Sequence, residues 1–139
     1  MGDWPFSFTD DVRFADLDAM GHLNNVTFLA FFENARVAYV TKALGAREPG
    51  RTADGGFVVA ETKISYRSPA RYGERIETLL RPGTIGRSSF SCEFEMRVGE
   101  RLLAEGYAVL VAYDTALAKP VPVPAALRER LLADGAVPR

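Results

Sequence analysis

Residues 26–44 constrain the fold more than any other part of this chain. Val26, Phe28, Leu29, Ala30, Phe31, Phe32, Ala35, Val37, Ala38, Tyr39 and Val40 leave few polar positions between them. A surface helix shows one apolar stripe; this one is apolar on most sides and calls for burial on several faces. At 1.5 Å per residue it makes a rod of roughly 28 Å, the width of a small domain. Asn24 or Asn25 suits the N-cap, and Gly45 suits the left-handed exit. Glu33 and Arg36 stand three apart and are expected to pair on one face. Directly before the helix runs Asp16-Leu17-Asp18-Ala19-Met20-Gly21-His22-Leu23-Asn24-Asn25. This polar turn brings two carboxylates, a histidine and two asparagines to the helix's positive end.

The rest of the chain reads mainly as strands. Phe6, Phe8, Val12 and Phe14 share one parity, interrupted by Asp10, and predict a first strand. Residues 45–56 form a loop rich in Gly, Arg and Asp. A second strand, 56–67, stops at Ser68-Pro69, because proline cannot donate within a ladder. A third, 74–81, places Ile76, Thr78 and Leu80 on one side and is expected to break at Pro82-Gly83 and Gly86. In the fourth, Phe90, Cys92, Phe94, Met96 and Val98 face one way, while Ser91, Glu93, Glu95 and Arg97 face the other. Gly99-Glu100 reads as a tight hairpin turn into a fifth strand, 102–113. Small residues there (Ala104, Gly106, Ala108, Ala112) would let a helix approach closely. An extended, proline-rich strap at 119–124 precedes a short helix at 125–133, and the final residues should fray.

Strand, helix, then four strands close enough for antiparallel hairpins describes one α+β domain over 1–139. A curled antiparallel five-stranded sheet wrapped around one long central helix buries both the helix and the apolar strand faces. This is the hotdog fold. Its open sheet edge predicts pairing of subunits into a homodimer or homotetramer.

Composition narrows the function classes. Net charge is −1 with no basic block, which disfavours capture of nucleic acid or an anionic membrane. Cys92 is the single cysteine, which excludes an internal disulfide and fits a reducing compartment. Its position predicts an inert core thiol. His22 is the single histidine, so a His/Cys zinc site is disfavoured. Asp10, Asp11, Asp16 and Asp18 read as solvated loop acids, not metal ligands. Met1-Gly2-Asp3-Trp4-Pro5 lacks the basic start and apolar run of a signal peptide, and the run 28–32 is too short to span a bilayer; the cytoplasm is the default expectation.

The run from Asp16 to Asn25, followed by Glu33-Asn34-Ala35-Arg36, closely resembles hotdog acyl-CoA thioesterases of the 4-hydroxybenzoyl-CoA thioesterase type. Tyr66-Arg67-Ser68-Pro69, Tyr72-Gly73-Glu74, Gly86-Arg87-Ser88-Ser89 and Lys119-Pro120-Val121-Pro122 extend the resemblance over residues 8–128. It implies hydrolysis of an acyl thioester with Asp18 as the catalytic carboxylate. No cofactor is implied, since coenzyme A is part of the substrate. Some similar proteins carry His or Tyr where this chain has Asn25.

The chemistry suits those residues. A thioester carbonyl needs attack at carbon and stabilisation of the charge developing on oxygen. The first amides of a helix lack intrahelical acceptors, and a single oxyanion donor is worth about 2.7–4 kcal/mol in characterised hydrolases. The amide of Asn25 or of Val26 is the candidate donor; the resemblance implies Asn25. Asp18 can attack directly, giving a mixed anhydride, or deprotonate water. Gly21 permits the tight backbone beside the ligand. Asp16 reads as a turn-forming carboxylate, Asn24 as a cap, and His22 as loop support or a group that polarises the thioester. Arg87 and Ser88 are candidates for the phosphates or pantetheine of coenzyme A, which in similar proteins lies across a subunit boundary; Tyr66 and Arg67 are further candidates for substrate contact. Phe28, Leu29, Phe31, Phe32 and the loop 45–56 are candidates to shape the acyl pocket. No Gly-x-Ser-x-Gly elbow is present. The competing functions are a hotdog enoyl-CoA hydratase or dehydratase, whose Asp-x-Asn-Pro-x-His run is absent, and a non-catalytic acyl-CoA-binding module.

Overall fold

The structure, a computed structural model, describes residues 4–45 and 56–139. The elements are β1 (Phe6–Asp11), α1 (Asn25–Leu44), β2 (Gly56–Tyr66), β3 (Arg75–Ile85), β4 (Ser89–Val98) and β5 (Arg101–Asp114). They are followed by the two-residue strand β6 (Lys119–Pro120), α2 (Ala125–Ala133) and a second two-residue strand, β7 (Val137–Pro138). The main sheet runs β1-β3-β4-β5-β2, antiparallel throughout, with β6 added to β5 and β7 added in parallel to β3. The hotdog architecture is therefore borne out, with two short strands beyond the expected five.

Strict alternation builds β4. Phe90, Cys92, Phe94 and Met96 are buried on the helix side of the sheet. Phe32 of α1 stacks on Phe94 with ring centroids 4.0 Å apart. Burying each such side chain contributes about 1.5–3 kcal/mol, and this contact seats the rod on the centre of the sheet. Cys92 is an inert core thiol: burial pushes its pKa up to about 12. At the rod's other end, the Tyr39 hydroxyl donates to Asp134 Oδ2 at 2.7 Å, and Arg130 holds the same carboxylate from within α2. This pins α2 against α1.

Several details depart from the sequence expectations. The buried stripe of α1 is Phe28, Phe31, Phe32, Ala35, Tyr39 and Val40, while Val26 and Ala30 are exposed; one subunit covers one side of the rod, not several. Glu33 and Arg36 form no ion pair among the described residues. β1 ends at Asp11, and Phe14 lies 79% exposed in a 3₁₀ turn, Phe14–Asp16. β3 does not break at Pro82 but continues to Ile85 through a register shift, where the Ser91 hydroxyl accepts from the Thr84 amide at 2.9 Å. A side-chain acceptor thus replaces a ladder bond that the bulge interrupts. Gly106 answers to β2, not to a helix: a Cβ there would overlap the Lys63 carbonyl. The C-terminal residues do not fray, because β7 pairs with Thr84 and Ile85, and Arg139 donates to Ser89 Oγ at 2.6 Å. Gly99, with φ +59, opens a two-residue hairpin between β4 and β5, as its glycine predicts. The expected loop lies, over 46–55, outside the described residues. Among the described residues no helix is long and apolar enough to cross a membrane.

Candidate active site

The chain between β1 and α1 is held by its own backbone and two carboxylates. Asp16, 6% exposed, accepts from the Arg13 amide at 2.9 Å and from the Arg13 guanidinium at 2.9 Å. The hydrogen bond from that guanidinium holds the Asp16 carboxyl below its ordinary pKa. The Asp16 carbonyl then accepts from the Asn24 amide at 2.9 Å, closing the loop from 16 to 24. Inside it, the Asp18 amide donates to the His22 carbonyl at 2.8 Å, and the Gly21 amide donates to the Asp18 carbonyl at 3.0 Å. Gly21 has φ +78, the left-handed conformation that a glycine adopts without strain. Asp16 is thus a structural carboxylate.

Asp18 is different. It is exposed and has no ion-pair partner among the described residues. Its Oδ1 accepts from the amides of Met20 at 2.9 Å and His22 at 3.3 Å. Its Oδ2 accepts no hydrogen bond among the described residues. One oxygen orients the carboxylate and the other is left without a partner among the described residues.

The start of α1 sorts its orphan amides. Asn24 is the N-cap, and its side chain accepts from the Val26 amide at 2.8 Å. Its carbonyl accepts from Thr27 at 2.9 Å and from Phe28 at 3.4 Å. Among the described residues, the amide of Asn25 alone in this first turn finds no acceptor. Of the two donors that the sequence left open, Val26 is committed to the cap and Asn25 is not.

The end of β2 forms the opposite wall. The amides of Arg67 and Ser68 donate to the Leu103 carbonyl at 2.7 and 3.2 Å, and the Ser68 hydroxyl donates to the Leu102 carbonyl at 2.8 Å. Tyr66 packs edge-on against Phe28, and its hydroxyl donates to the Asn25 carbonyl at 3.0 Å. Arg67 pairs with Glu105 at 3.0 Å. Between these walls lies an open cavity of about 400 Å³, lined by Asp18, His22, Leu23, Asn25, Phe28, Tyr66, Arg67, Ser68 and Pro69. The His22 ring lines it without a hydrogen-bond partner among the described residues; the loop contacts of this residue are made by its backbone, including a bridge to Arg71.

Asp18, His22, Asn25, Tyr66 and Arg67 are therefore brought to one place, and Asn24 braces it from behind. Arg87 and Ser88 are not brought there. Their carbonyls accept from Val123 and Ala112, at the far end of β5 from Leu103. Nine strand residues separate the two ends, about 30 Å. Among the described acyl-pocket candidates only Phe28 lines the cavity; Phe31 and Phe32 are buried in the core. Sequence reasoning missed Leu23, Ser68 and Pro69 as lining residues. The one signal for the last two was the strand stop at Pro69, and it carried no information on what the strand would stop beside. Among the described residues no group of three or more His, Cys, Asp or Glu is placed to hold a metal ion.

Asp18, with one oxygen that accepts no hydrogen bond among the described residues, and Asn25, with an unpaired amide at the positive end of a helix, thus line one open cavity. Such a pair can activate water, or attack a carbonyl carbon, while stabilising charge on the carbonyl oxygen.

Known proteins resemble this chain over most of its length. YsmA of Bacillus subtilis (strain 168) is 31% identical over 102 residues, which take in 72% of this chain and 65% of that protein. The chain thus spans just under two thirds of that relative's length. A 1,4-dihydroxy-2-naphthoyl-CoA hydrolase of Synechococcus elongatus is 24% identical over 129 residues, 91% of this chain and 94% of that one. Among solved structures, a thioesterase from Thermus thermophilus, complexed with coenzyme A and zinc, is 32% identical, covers 96% of each chain and superposes with a TM-score of 0.77. The Thioesterase-like superfamily is matched over residues 12–131, from the buried valine that follows β1 to the last turn of α2. With that match spanning the loop, the rod and the sheet, the chain belongs to the Thioesterase-like superfamily.

Proposed function

We propose that this chain hydrolyses an acyl-coenzyme A thioester to the free acid and coenzyme A. The observation that carries the reading is that Asp18, with an oxygen free of hydrogen bonds among the described residues, and Asn25, with an unpaired amide, line the same open cavity. The thioester carbonyl oxygen lies toward the Asn25 amide, at the positive end of α1. Asp18 Oδ2 either attacks the carbonyl carbon, expelling the coenzyme A thiolate and leaving a mixed anhydride that water opens, or takes a proton from the attacking water. His22, Tyr66 and Arg67 contact the substrate from the cavity walls, and Asn24 acts through the cap. The reaction needs no cofactor beyond the coenzyme A that the substrate brings. The Thermus relative's bound coenzyme A supports the choice of thiol.

The working unit in this proposal is a homodimer joined at β2. That strand is one of the two edge strands of the main sheet, and Val58 and Val59 on it are 40% and 43% exposed. Antiparallel pairing of two such edges sets the start of the partner's β2 beside the end of this one. The partner's β3–β4 turn lies two strands behind that start, about 10 Å away. The partner's Arg87 and the partner's Ser88 would then flank this subunit's cavity and meet the coenzyme A phosphates or pantetheine, although within one subunit they are remote.

The test is thiol release from a panel of coenzyme A thioesters spanning acyl length and aryl groups, run on the wild-type chain and on Asp18→Asn. The amide keeps an oxygen for the Met20 and His22 amides but cannot attack or accept a proton. Loss of general base or nucleophile should cut turnover by about 10²- to 10⁴-fold with only a small change in substrate affinity. Unchanged turnover in Asp18→Asn, or hydration of crotonyl-CoA in place of thiol release, would refute the assignment.

A further inference from the structure

Asn25 is held from two directions. Its N–H has no acceptor among the described residues, the residue lines the cavity, and its carbonyl accepts the Tyr66 hydroxyl at 3.0 Å from the end of β2. The turn is seated at its two ends, by the Asn24 amide on the Asp16 carbonyl and by the buried Phe28, but between them Asn25 is exposed and Val26 is 69% exposed. First turns of helices lack part of the hydrogen-bond ladder and are the readiest to fray. The end of β2, in contrast, is firmly seated, because three hydrogen bonds from Arg67 and Ser68 tie it to β5.

We infer that Tyr66 is a positioning residue for thioester hydrolysis, transmitting the stiffness of the sheet to the Asn25 amide through its hydroxyl. The inference rests on the thioesterase reading above and gives Tyr66 a role that its ring alone does not supply. The ring forms cavity wall and packs on Phe28 with centroids 5.4 Å apart; the hydroxyl is spent on the Asn25 carbonyl. The N–H and C=O of Asn25 flank one Cα. A carbonyl released from β2 lets that Cα drift and takes the oxyanion donor with it. A misplacement of about 1 Å at a reacting centre can cost on the order of 10²-fold in rate. Substrate binding through the walls of the cavity does not depend on this alignment. The signature of the role is therefore a fall in kcat with KM held.

Tyr66→Phe tests it, since the ring and its contact with Phe28 survive while the hydroxyl is lost. Steady-state thiol release should show kcat lower by about 10-fold with KM within about two-fold of wild type. Amide hydrogen exchange followed by NMR should show the Thr27 and Phe28 N–H groups, which close this first turn on the Asn24 carbonyl, exchanging faster, with the β2 amides unchanged. Tyr107→Phe is the control: its hydroxyl binds Glu61 Oε2 at 2.7 Å, outside the cavity, and its loss should leave kcat unchanged. Unchanged kcat in Tyr66→Phe, or a rise in KM alone, would overturn the inference and leave the function intact if Asp18→Asn is dead. A wild-type chain that releases no thiol from any member of the panel would overturn the functional reading and this inference with it.

Discussion

At the scale of single residues, the loop before the rod contains two aspartates with opposite tasks. Asp16 is buried against Arg13 and its backbone carbonyl ties down Asn24; Asp18, two residues later, is exposed with one oxygen unclaimed. The contrast has a consequence for stability in acid. The Arg13 guanidinium holds the folded Asp16 pKa below its ordinary value near 4, so this carboxylate stabilises the fold fully above that pH. The contribution is lost as pH falls through the depressed folded value. Asp16→Asn should therefore melt at a lower temperature than wild type at pH 7, and the gap should narrow and close as pH falls through the depressed folded value. Thermal melts across pH read this directly; a gap of constant size down to acid would show that the charge on Asp16 plays no part. The spacing of the two acids was visible in the sequence. Which one is sheltered was not, because the arginine that shelters Asp16 reaches it only through the 3₁₀ turn.

Among the elements, the pairing of β2 with β5 matters most to the site, since it delivers Tyr66, Arg67 and Ser68 to the start of α1. The two strands meet at Ile64 and Gly106, where a Cβ on residue 106 would overlap the Lys63 carbonyl. Gly106→Ala must push β2 outward. Overpacking of this kind costs about 1–3 kcal/mol, and the loss should appear as a lower melting temperature together with faster amide exchange confined to β2. Unaltered exchange in β2 would mean that the sheet absorbs the methyl elsewhere. The small residues of β5 were evident in the sequence, but their reason was misread: alternation tells which side chains share a face and says nothing of which neighbouring strand comes closest. Pro82 was misread in a similar way. Proline removes one donor, and the Ser91 hydroxyl restores order to the ladder from across the sheet, so β3 runs on.

On the scale of the whole molecule, the described residues of one subunit leave exposed the side of α1 at Val26 and Ala30 and end the main sheet in two edge strands, β1 and β2. The proposed dimer accounts for the edge at β2. Ala60 offers a clean probe, because the register shift between Val59 and Glu61 leaves it without a partner on β5. Ala60→Pro should spare the intrachain ladder while blocking an added strand. Light scattering coupled to size-exclusion chromatography should then find a monomer where the wild type is a dimer, and thiol release should fall with it. A dimer that persists in Ala60→Pro would move the interface away from β2.

By itself the sequence determined the rod, its cap at Asn24, the strict alternation of β4, the order of the main strands and the acid at position 18. Each of these is written in local spacing: apolar periodicity, a capping side chain, a glycine at a positive φ. The tertiary structure alone decided that the end of β2 abuts the start of α1, that Asn25 and not Val26 keeps a spare amide, and that Arg87 and Ser88 stand at the far end of the sheet. Those facts depend on contacts as distant as the 41 positions between Tyr66 and Asn25, and on how donors and acceptors are shared out once the chain has closed on itself. Local patterns carry no record of that sharing.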